Sequence, residues 1–340
     1  MWEGYRGADA VTFDGIVRHV STATLWDRDN CTCPSCLHPS SHERLVMVAD
    51  DGDGPHGPVP HDSAARSDVA QLVPRTVATR GSAMPVPTVE YATLATDAGL
   101  ERWLTALLES GVAIVTNTPN IAGEVVRLAE LIGYARPTNF GTMFDVVSKP
   151  DPNSNAYTAL GLEMHTDLPY YASPPDYQFL HAIQADATGG ESLLVDGIAV
   201  AELLRDDDPA AFELLSSWEV PFRFHDDDDD LRDTYPVLEL RRDRVVGVRF
   251  NNGVRDVDSA AHGPDGEAFY AAYLAYWRLL REEGISIRLR AGEVLCFDNR
   301  RVLHGRSAFD PSSGRRHLQG CYVDRDMVQS RLRAVRQRRG

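Results

Sequence analysis

The chain has 340 residues, 43% of them hydrophobic, which is enough for one large domain with a sizeable core and a small second one. Its formal net charge is −16, so it lacks the basic balance of a general nucleic-acid binder; the acidity favours solubility and, more weakly, a cationic small molecule. It contains no apolar run of about 18 residues, so no membrane span is expected. Met1 to Arg6 lacks the basic and apolar regions of a signal peptide, and a cytoplasmic protein is expected.

In chain order, residues 12 to 26 read as short strands, with Val17, Val20 and Leu25 among polar residues. Cys31, Cys33 and Cys36 follow in C-x-C-x-x-C spacing. In a reducing compartment such a thiol cluster reads as metal ligation, and thiolates suit tetrahedral zinc. His38, His42, His56 and His61 are candidates for the fourth ligand. Closeness to the cysteines favours His42, since His38 sits almost on top of Cys36. Residues 50 to 85 carry few apolar side chains and read as a hairpin or linker. Pro85 and Pro87 mark entry to the main domain. Residues 1–80 are therefore expected to form a small zinc-binding β domain, and residues 81–340 the main one.

Thr96 to Ser110 reads as a helix capped by Asp97 and ended by Gly111, with Leu100, Trp103, Leu104, Leu107 and Leu108 at helical spacing. Val112 to Val115 is a buried strand, and Ile121 to Ile132 a second helix. Tyr177 to Ile183 alternates as a strand, which makes His181 a structural histidine. Ser192 to Gly197 is another strand. The acidic runs Asp206–Asp208 and Asp226–Asp230 read as solvated loops; a calcium site or an acidic lid is the alternative. Val245 to Phe250 is a strand ending at Asn251-Asn252-Gly253-Val254-Arg255-Asp256, whose amides line a polar pocket or serve a turn. Glu267 to Glu283 is an amphipathic helix with an aromatic stripe. Ala291 to Asn299 is a turn plus a buried strand in which Cys296 is an ordinary buried thiol. Met327 to Arg339 is a basic helix.

The chemistry is carried by His165 and Asp167, an H-x-D pair, and by His304 far downstream. Two histidines and one carboxylate can occupy one face of an octahedral Fe(II), leaving positions open for oxygen and a chelating co-substrate. Residues two apart at a strand end point the same way. The long separation to His304 suits a jelly roll in which a late strand returns beside an early one. Arg316, about a dozen residues after His304, suits the distal carboxylate of 2-oxoglutarate, because its planar fork matches a carboxylate bidentately.

These motifs together resemble the gamma-butyrobetaine dioxygenase and trimethyllysine dioxygenase family, within the taurine dioxygenase-like superfamily of Fe(II)/2-oxoglutarate oxygenases. The resemblance covers most of the chain. It rests on Asp29-Asn30-Cys31-x-Cys33-x-x-Cys36, on Ala156-Tyr157-Thr158 through His165-x-Asp167, and on Thr188-Gly189-Gly190-x-Ser192. It continues through Phe250-Asn251-Asn252-x-x-Arg255-Asp256, Phe297-Asp298-Asn299, His304-Gly305-Arg306 and Arg316-His317-Leu318-Gln319-Gly320-x-Tyr322. The implied fold is mainly β with flanking helices: a double-stranded β-helix (jelly-roll) catalytic domain beside a small zinc domain, often dimeric.

By the same resemblance His165, Asp167 and His304 hold iron, while Arg316, Thr188 and Ser192 hold 2-oxoglutarate. Cys31, Cys33, Cys36 and His61 hold zinc. Phe140, Phe144, Tyr157 and Tyr322 match an aromatic cage for a trimethylammonium group. Leu168 stands where some relatives have an aromatic residue, Ser154 where an asparagine contacts the substrate carboxylate, and Asn251 in the pocket wall. The implied reaction uses O2 and 2-oxoglutarate to hydroxylate a C–H bond of a small betaine-like substrate. The carboxylate of Asp167 disfavours halogenation. Desaturation or cyclisation of a biosynthetic intermediate is the alternative, and a non-catalytic metal- or metabolite-binding barrel a remote one.

Overall fold

The computed structural model describes residues 8–13, 16–21, 84–148, 158–256 and 263–339. Cys31, Cys33 and Cys36, the histidines His38, His42, His56 and His61, and Ser154 and Tyr157 lie outside the described residues. The chain divides into two compact units, Met1–Leu72 and Val73–Gly340. In the first, Ala8–Phe13 and Ile16–Ser21 form an antiparallel hairpin in the neighbourhood where short strands were expected.

The second unit is built on two sheets. One has six strands in the order Thr88–Glu90, Val112–Thr116, Val294–Asp298, Tyr177–Ala185, Arg316–Val323 and Phe144–Val146. The other has four, in the order Ile285–Ile287, Ser192–Asp196, Val302–Arg306 and Leu162–His165. All pairings are antiparallel except that of Thr88–Glu90 with Val112–Thr116. Leu180, Leu295 and Phe297 of the first sheet share one buried cluster with Leu194 and Val302 of the second. The two sheets therefore face each other, with alternate residues of each strand pointing into the space between them.

The helix Asp97–Ser110 buries the expected stripe, and Trp103 packs on Phe179 with ring centroids 5.6 Å apart. Its cap is Thr96 rather than Asp97. The Thr96 hydroxyl accepts from the Gly99 N–H at 3.1 Å, while Asp97 pairs with Arg338 at 2.6 Å. The second helix is shorter than expected, Glu124–Glu130, because Gly123 in left-handed conformation delays its start. The Asp206–Asp208 run divides between two helices: Gly197–Asp207 ends within it, and Asp208 caps Pro209–Ser217 by accepting from the Ala211 N–H at 3.0 Å. Asp226–Asp230 is the turn of the hairpin between Val220–His225 and Asp230–Tyr235, with Asp230 holding Arg223 at 2.7 Å. The helix Gly263–Glu282 packs Phe269, Tyr273, Tyr276 and Leu280 into the larger core, where Phe250 stacks on Tyr273 at 4.5 Å. Cys296 and Cys321 are buried free thiols. Among the described residues no helix is long and apolar enough to cross a membrane.

His181 is fully buried on the Tyr177–Ala185 strand, opposite Val294 and Gln319. Burial lowers its pKa from the ordinary value of 6.5, with Glu124 opposing. The folded chain keeps this ring neutral while the unfolded chain protonates it, so its stabilisation is present above about pH 6.5 and is lost as pH falls below it. His181→Leu is expected to flatten the fall in urea midpoint between about pH 7.5 and about pH 5.5. An unchanged slope in the variant would show that the ring does not titrate with folding.

Candidate active site and metal centre

His165 ends the Leu162–His165 strand and His304 sits in the middle of Val302–Arg306. The two strands pair antiparallel with His165 directly opposite His304, which brings their ring centroids to 4.4 Å. Asp167 follows two residues later, just before the chain turns at Leu168, whose φ is 56°. Its Oδ1 lies 3.2 Å from His165 Nε2 and 3.8 Å from His304 Nε2. The three ligand atoms fall within 4.8 Å of one another, the only such His/Cys/Asp/Glu cluster among the described residues.

Surrounding groups fix which atoms face this point. His165 Nδ1–H donates to the Glu163 carbonyl at 2.8 Å, so Nε2 is the atom aimed at the centre. Tyr322 O–H donates to Asp167 Oδ2 at 2.7 Å, leaving Oδ1 toward the histidines. Burial opposes charge on Asp167, but His304, His165 and Tyr322 outweigh it and hold the carboxyl well below the usual range. Burial, aided by the neighbouring His165, pushes the His304 imidazole down to about 3. Burial also opposes protonation of His165, yet Asp167 and the Glu163 carbonyl raise its pKa overall. An ionised carboxylate and two imidazole nitrogens thus converge where positive charge is favoured. This donor set fits a divalent ion of the Fe(II) type, with open positions on the far side.

A cavity of about 680 Å³ opens onto this centre, with His165 and Asp167 in its wall. Phe140, Phe144, Leu168, Asn251 and Tyr322 line it, as do Tyr170 and Phe224, to which the sequence reading gave no role. Phe140 meets Phe224 edge-on at 5.5 Å, Tyr170 stacks on Phe224 at 5.5 Å, and Phe144 lies against Tyr322 at 5.3 Å. The Asn251 amide is engaged at both ends, donating to the Thr166 carbonyl at 3.2 Å and accepting from Gly253 N–H at 2.9 Å. It serves a turn and a cavity wall at once.

Arg316 lies at the start of its strand. Its Nη2 donates to the Gly190 carbonyl at 3.4 Å and its guanidinium lies 5.5 Å from the Phe309 ring centroid. Burial, with the nearby Arg306, pushes its pKa down to about 10. Among the described residues no Asp or Glu pairs with it, so the pocket favours an anion. Gly190 has φ 75°, and a Cβ there would lie 2.8 Å from Arg316 Nε. Ser192 is buried, pairs in register with Arg306, and joins Gly189, Gly190 and Arg316 around a cavity of about 20 Å³, room for about one water. Thr188 is exposed on a two-residue strand, its N–H donating to Ser313 Oγ at 2.7 Å, and it lines neither cavity.

The sequence pattern of the taurine catabolism dioxygenase TauD, TfdA family matches residues 71–322. The chain belongs to this family. It is 40% identical to gamma-butyrobetaine dioxygenase of Pseudomonas sp. (strain AK-1), over 91% of this chain and 88% of that protein. It is 32% identical to the human protein of the same name, over 92% of this chain and 91% of that one, and 31% identical to human mitochondrial trimethyllysine dioxygenase, over 92% and 82%. The fold matches a crystal structure of asparagine oxygenase in complex with Fe(II), 3-hydroxyasparagine and succinate, with a TM-score of 0.53 at 22% identity, over 66% of this chain and 79% of that one. The resemblance read from the motifs therefore holds. The chain is a 2-oxoglutarate-dependent dioxygenase, mainly β with some helices, and iron and 2-oxoglutarate are its cofactor and co-substrate.

Arg249, unremarked in the sequence, gathers the loop that follows Asp167. It is 3% exposed, pairs with Glu239 at 2.6 Å, and donates to the carbonyls of Pro169, Tyr171 and Ala172 at 3.1, 2.8 and 3.1 Å. Without the guanidinium the carbonyls of Pro169, Tyr171 and Ala172 lose their donor, while Glu239 keeps Arg300 as a partner. Arg249→Met is expected to destabilise the fold by about 2–4 kcal/mol in urea unfolding, mainly through these stranded carbonyls. A loss below about 1 kcal/mol would mean that the loop is held by other contacts.

Proposed function

We propose that this dioxygenase hydroxylates an unactivated C–H bond of a small betaine-like substrate carrying a quaternary or alkylated ammonium group. The observation that carries the reading is the aromatic-walled cavity opening directly onto the His165, Asp167 and His304 cluster. Aromatic faces attract a desolvated cation by about 2 kcal/mol or more each in favourable geometry. The relatives named for gamma-butyrobetaine and trimethyllysine support the same substrate class.

In this reading His165 Nε2, Asp167 Oδ1 and His304 Nε2 hold iron(II), and Arg316 with Ser192 holds the distal carboxylate of 2-oxoglutarate. When bound, iron and 2-oxoglutarate supply the oxidising power from O2, with loss of CO2 and formation of succinate. The chain's own residues orient and shield. Phe140, Phe144, Tyr170, Phe224 and Tyr322 hold the cationic end and exclude water, which fixes the C–H bond facing the centre. Tyr322 also fixes the carboxylate through its hydroxyl. Tyr157, with Ser154 at the substrate's acidic end, completes the pocket by resemblance. Thr188 acts through the turn that presents Gly189 and Gly190. We read the two facing sheets as a double-stranded β-helix. Zinc in the N-terminal unit, on Cys31, Cys33, Cys36 and His61 or alternatively His42, and a homodimer belong to the same reading; they rest on cysteine spacing and resemblance.

Leu168 favours a second reading. It is a buried aliphatic wall residue where some relatives carry an aromatic one. The same chemistry then serves a related amino-acid-like or specialised-metabolite intermediate, with hydroxylation, desaturation or cyclisation as outcome.

Anaerobic loading with Fe(II) and 2-oxoglutarate, then oxygen with a panel of trimethylammonium compounds and their demethylated analogues, tests this. Succinate release is expected to couple to the quaternary compounds, with a product about 16 mass units heavier; about 2 units lighter marks desaturation. Equal, uncoupled turnover across the panel would remove the betaine reading. Chelating the iron is expected to abolish turnover and re-addition of Fe(II) to restore it. Gly190→Ala, which forces Arg316 aside, is expected to lower efficiency toward 2-oxoglutarate about 100-fold with little change in substrate binding. Unchanged kinetics would take Arg316 out of the co-substrate site.

A further inference from the structure

Asn299 is fully buried at the turn between the Val294–Asp298 and Val302–Arg306 strands, five residues before His304. Its side chain points to the segment that carries Asp167. Oδ1 accepts the Asp167 N–H at 2.8 Å, and Nδ2 donates to the Asp167 carbonyl at 3.1 Å and the Pro175 carbonyl at 3.0 Å. Its backbone N–H donates to the Asp176 carbonyl at 2.6 Å. One carboxamide thus meets both backbone groups of Asp167, as a neighbouring strand would, and both of its own donor hydrogens are placed.

Two features show what this contact is for. The next residue, Leu168, has φ 56°, a conformation that a branched, non-glycine residue holds only when its surroundings impose it. On the other side Thr166 is fixed to Phe250, whose N–H donates to Thr166 Oγ1 at 2.9 Å and whose carbonyl accepts the Thr166 N–H at 2.8 Å. Asp167 is therefore gripped on both flanks. The grip from Asn299 comes from the turn leading into the strand that carries His304.

We propose that Asn299 is a positioning residue: it fixes Asp167 against His304 and so sets the geometry, and with it the metal affinity, of the centre. This rests on the reading of His165, Asp167 and His304 as metal ligands. Outer partners of metal ligands commonly set affinity by about 10- to 100-fold.

The test is a calorimetric titration of the metal-free full chain with Mn(II), a probe that needs no turnover. Asn299→Leu and Asn299→Ser are compared with Leu107→Ala, a core change on the Asp97–Ser110 helix that lines neither cavity, and with His304→Ala. The Mn(II) Kd is expected to rise about 10- to 100-fold in both Asn299 variants and to stay within about twofold in Leu107→Ala. In turnover, kcat is expected to fall and 2-oxoglutarate consumed per product to rise, with substrate KM little changed, since the aromatic wall is untouched. Folded Asn299 variants with wild-type Mn(II) affinity would overturn the proposal. So would failure of both variants to fold at saturating Mn(II), which would assign Asn299 to global stability. If wild type binds no Mn(II), or His304→Ala binds it as wild type does, the metal-site reading itself fails.

Discussion

The pairing of the Leu162–His165 strand with Val302–Arg306 is the constraint on which the site depends. Side chains alternate along a strand, so a slip of one residue would turn His304 from the space between the sheets to the opposite face. The register is held by burial on both sides. Val302 and Leu194 sit in the shared core, and His304 lies between Leu194 on one neighbouring strand and His165 on the other. The ladder then departs from regularity between His304 and Arg306. Gly305 permits this, because a Cβ there would lie 2.5 Å from the Leu162 carbonyl oxygen. The two histidines are thus set by the fold's own hydrophobic pairing, and the third ligand has to be brought to them.

That third ligand is brought by polar contacts rather than by a sheet. Asp167 lies just beyond a strand end, in a segment that turns sharply at Leu168. Asn299 takes up its backbone N–H and carbonyl, Phe250 holds the preceding Thr166, Tyr322 takes one carboxylate oxygen, and Arg249 gathers residues 169–172. Each is a buried polar group with named partners. A loop buried at this depth needs such partners, because its peptide groups are cut off from water. The same contacts that make the loop tolerable inside the protein aim the carboxylate.

Charge is arranged around the cavity by sign. An anionic carboxylate with two imidazoles forms the candidate metal centre, while the half-buried Arg316 makes an anion-favouring pocket beside Phe309. Aromatic faces occupy the remaining wall. The acidic runs stay outside this arrangement: Asp208 caps a helix, and Asp230 is paired with Arg223 at the hairpin. The chain's net charge of −16 therefore says little about the site, whose electrostatics are set by a few buried groups in low dielectric.

Local signals were enough to single out His165, Asp167 and His304, which the fold brings together, and to assign most element types. H-x-D at a strand end, a distant histidine and an arginine a dozen residues further on form a pattern that few folds can use in another way. Periodicity likewise gave the Asp97–Ser110 and Gly263–Glu282 helices. It put the cap at Asp97 instead of Thr96, because both are good capping residues; in the fold Thr96 caps the helix and Asp97 pairs with Arg338. Tyr170, Phe224, Arg249 and Asn299 were not legible as site residues. Each acts on a segment some 50 to 130 positions away in the chain, and nothing local marks a phenylalanine as cavity wall or an asparagine as a clamp on a distant peptide. What the sequence determined by itself was the chemistry, because metal and co-substrate ligands must be particular residue types at particular spacings. What only the tertiary structure decided was the shape and support of the cavity, because packing and buried hydrogen bonds are made between residues whose closeness exists only after folding.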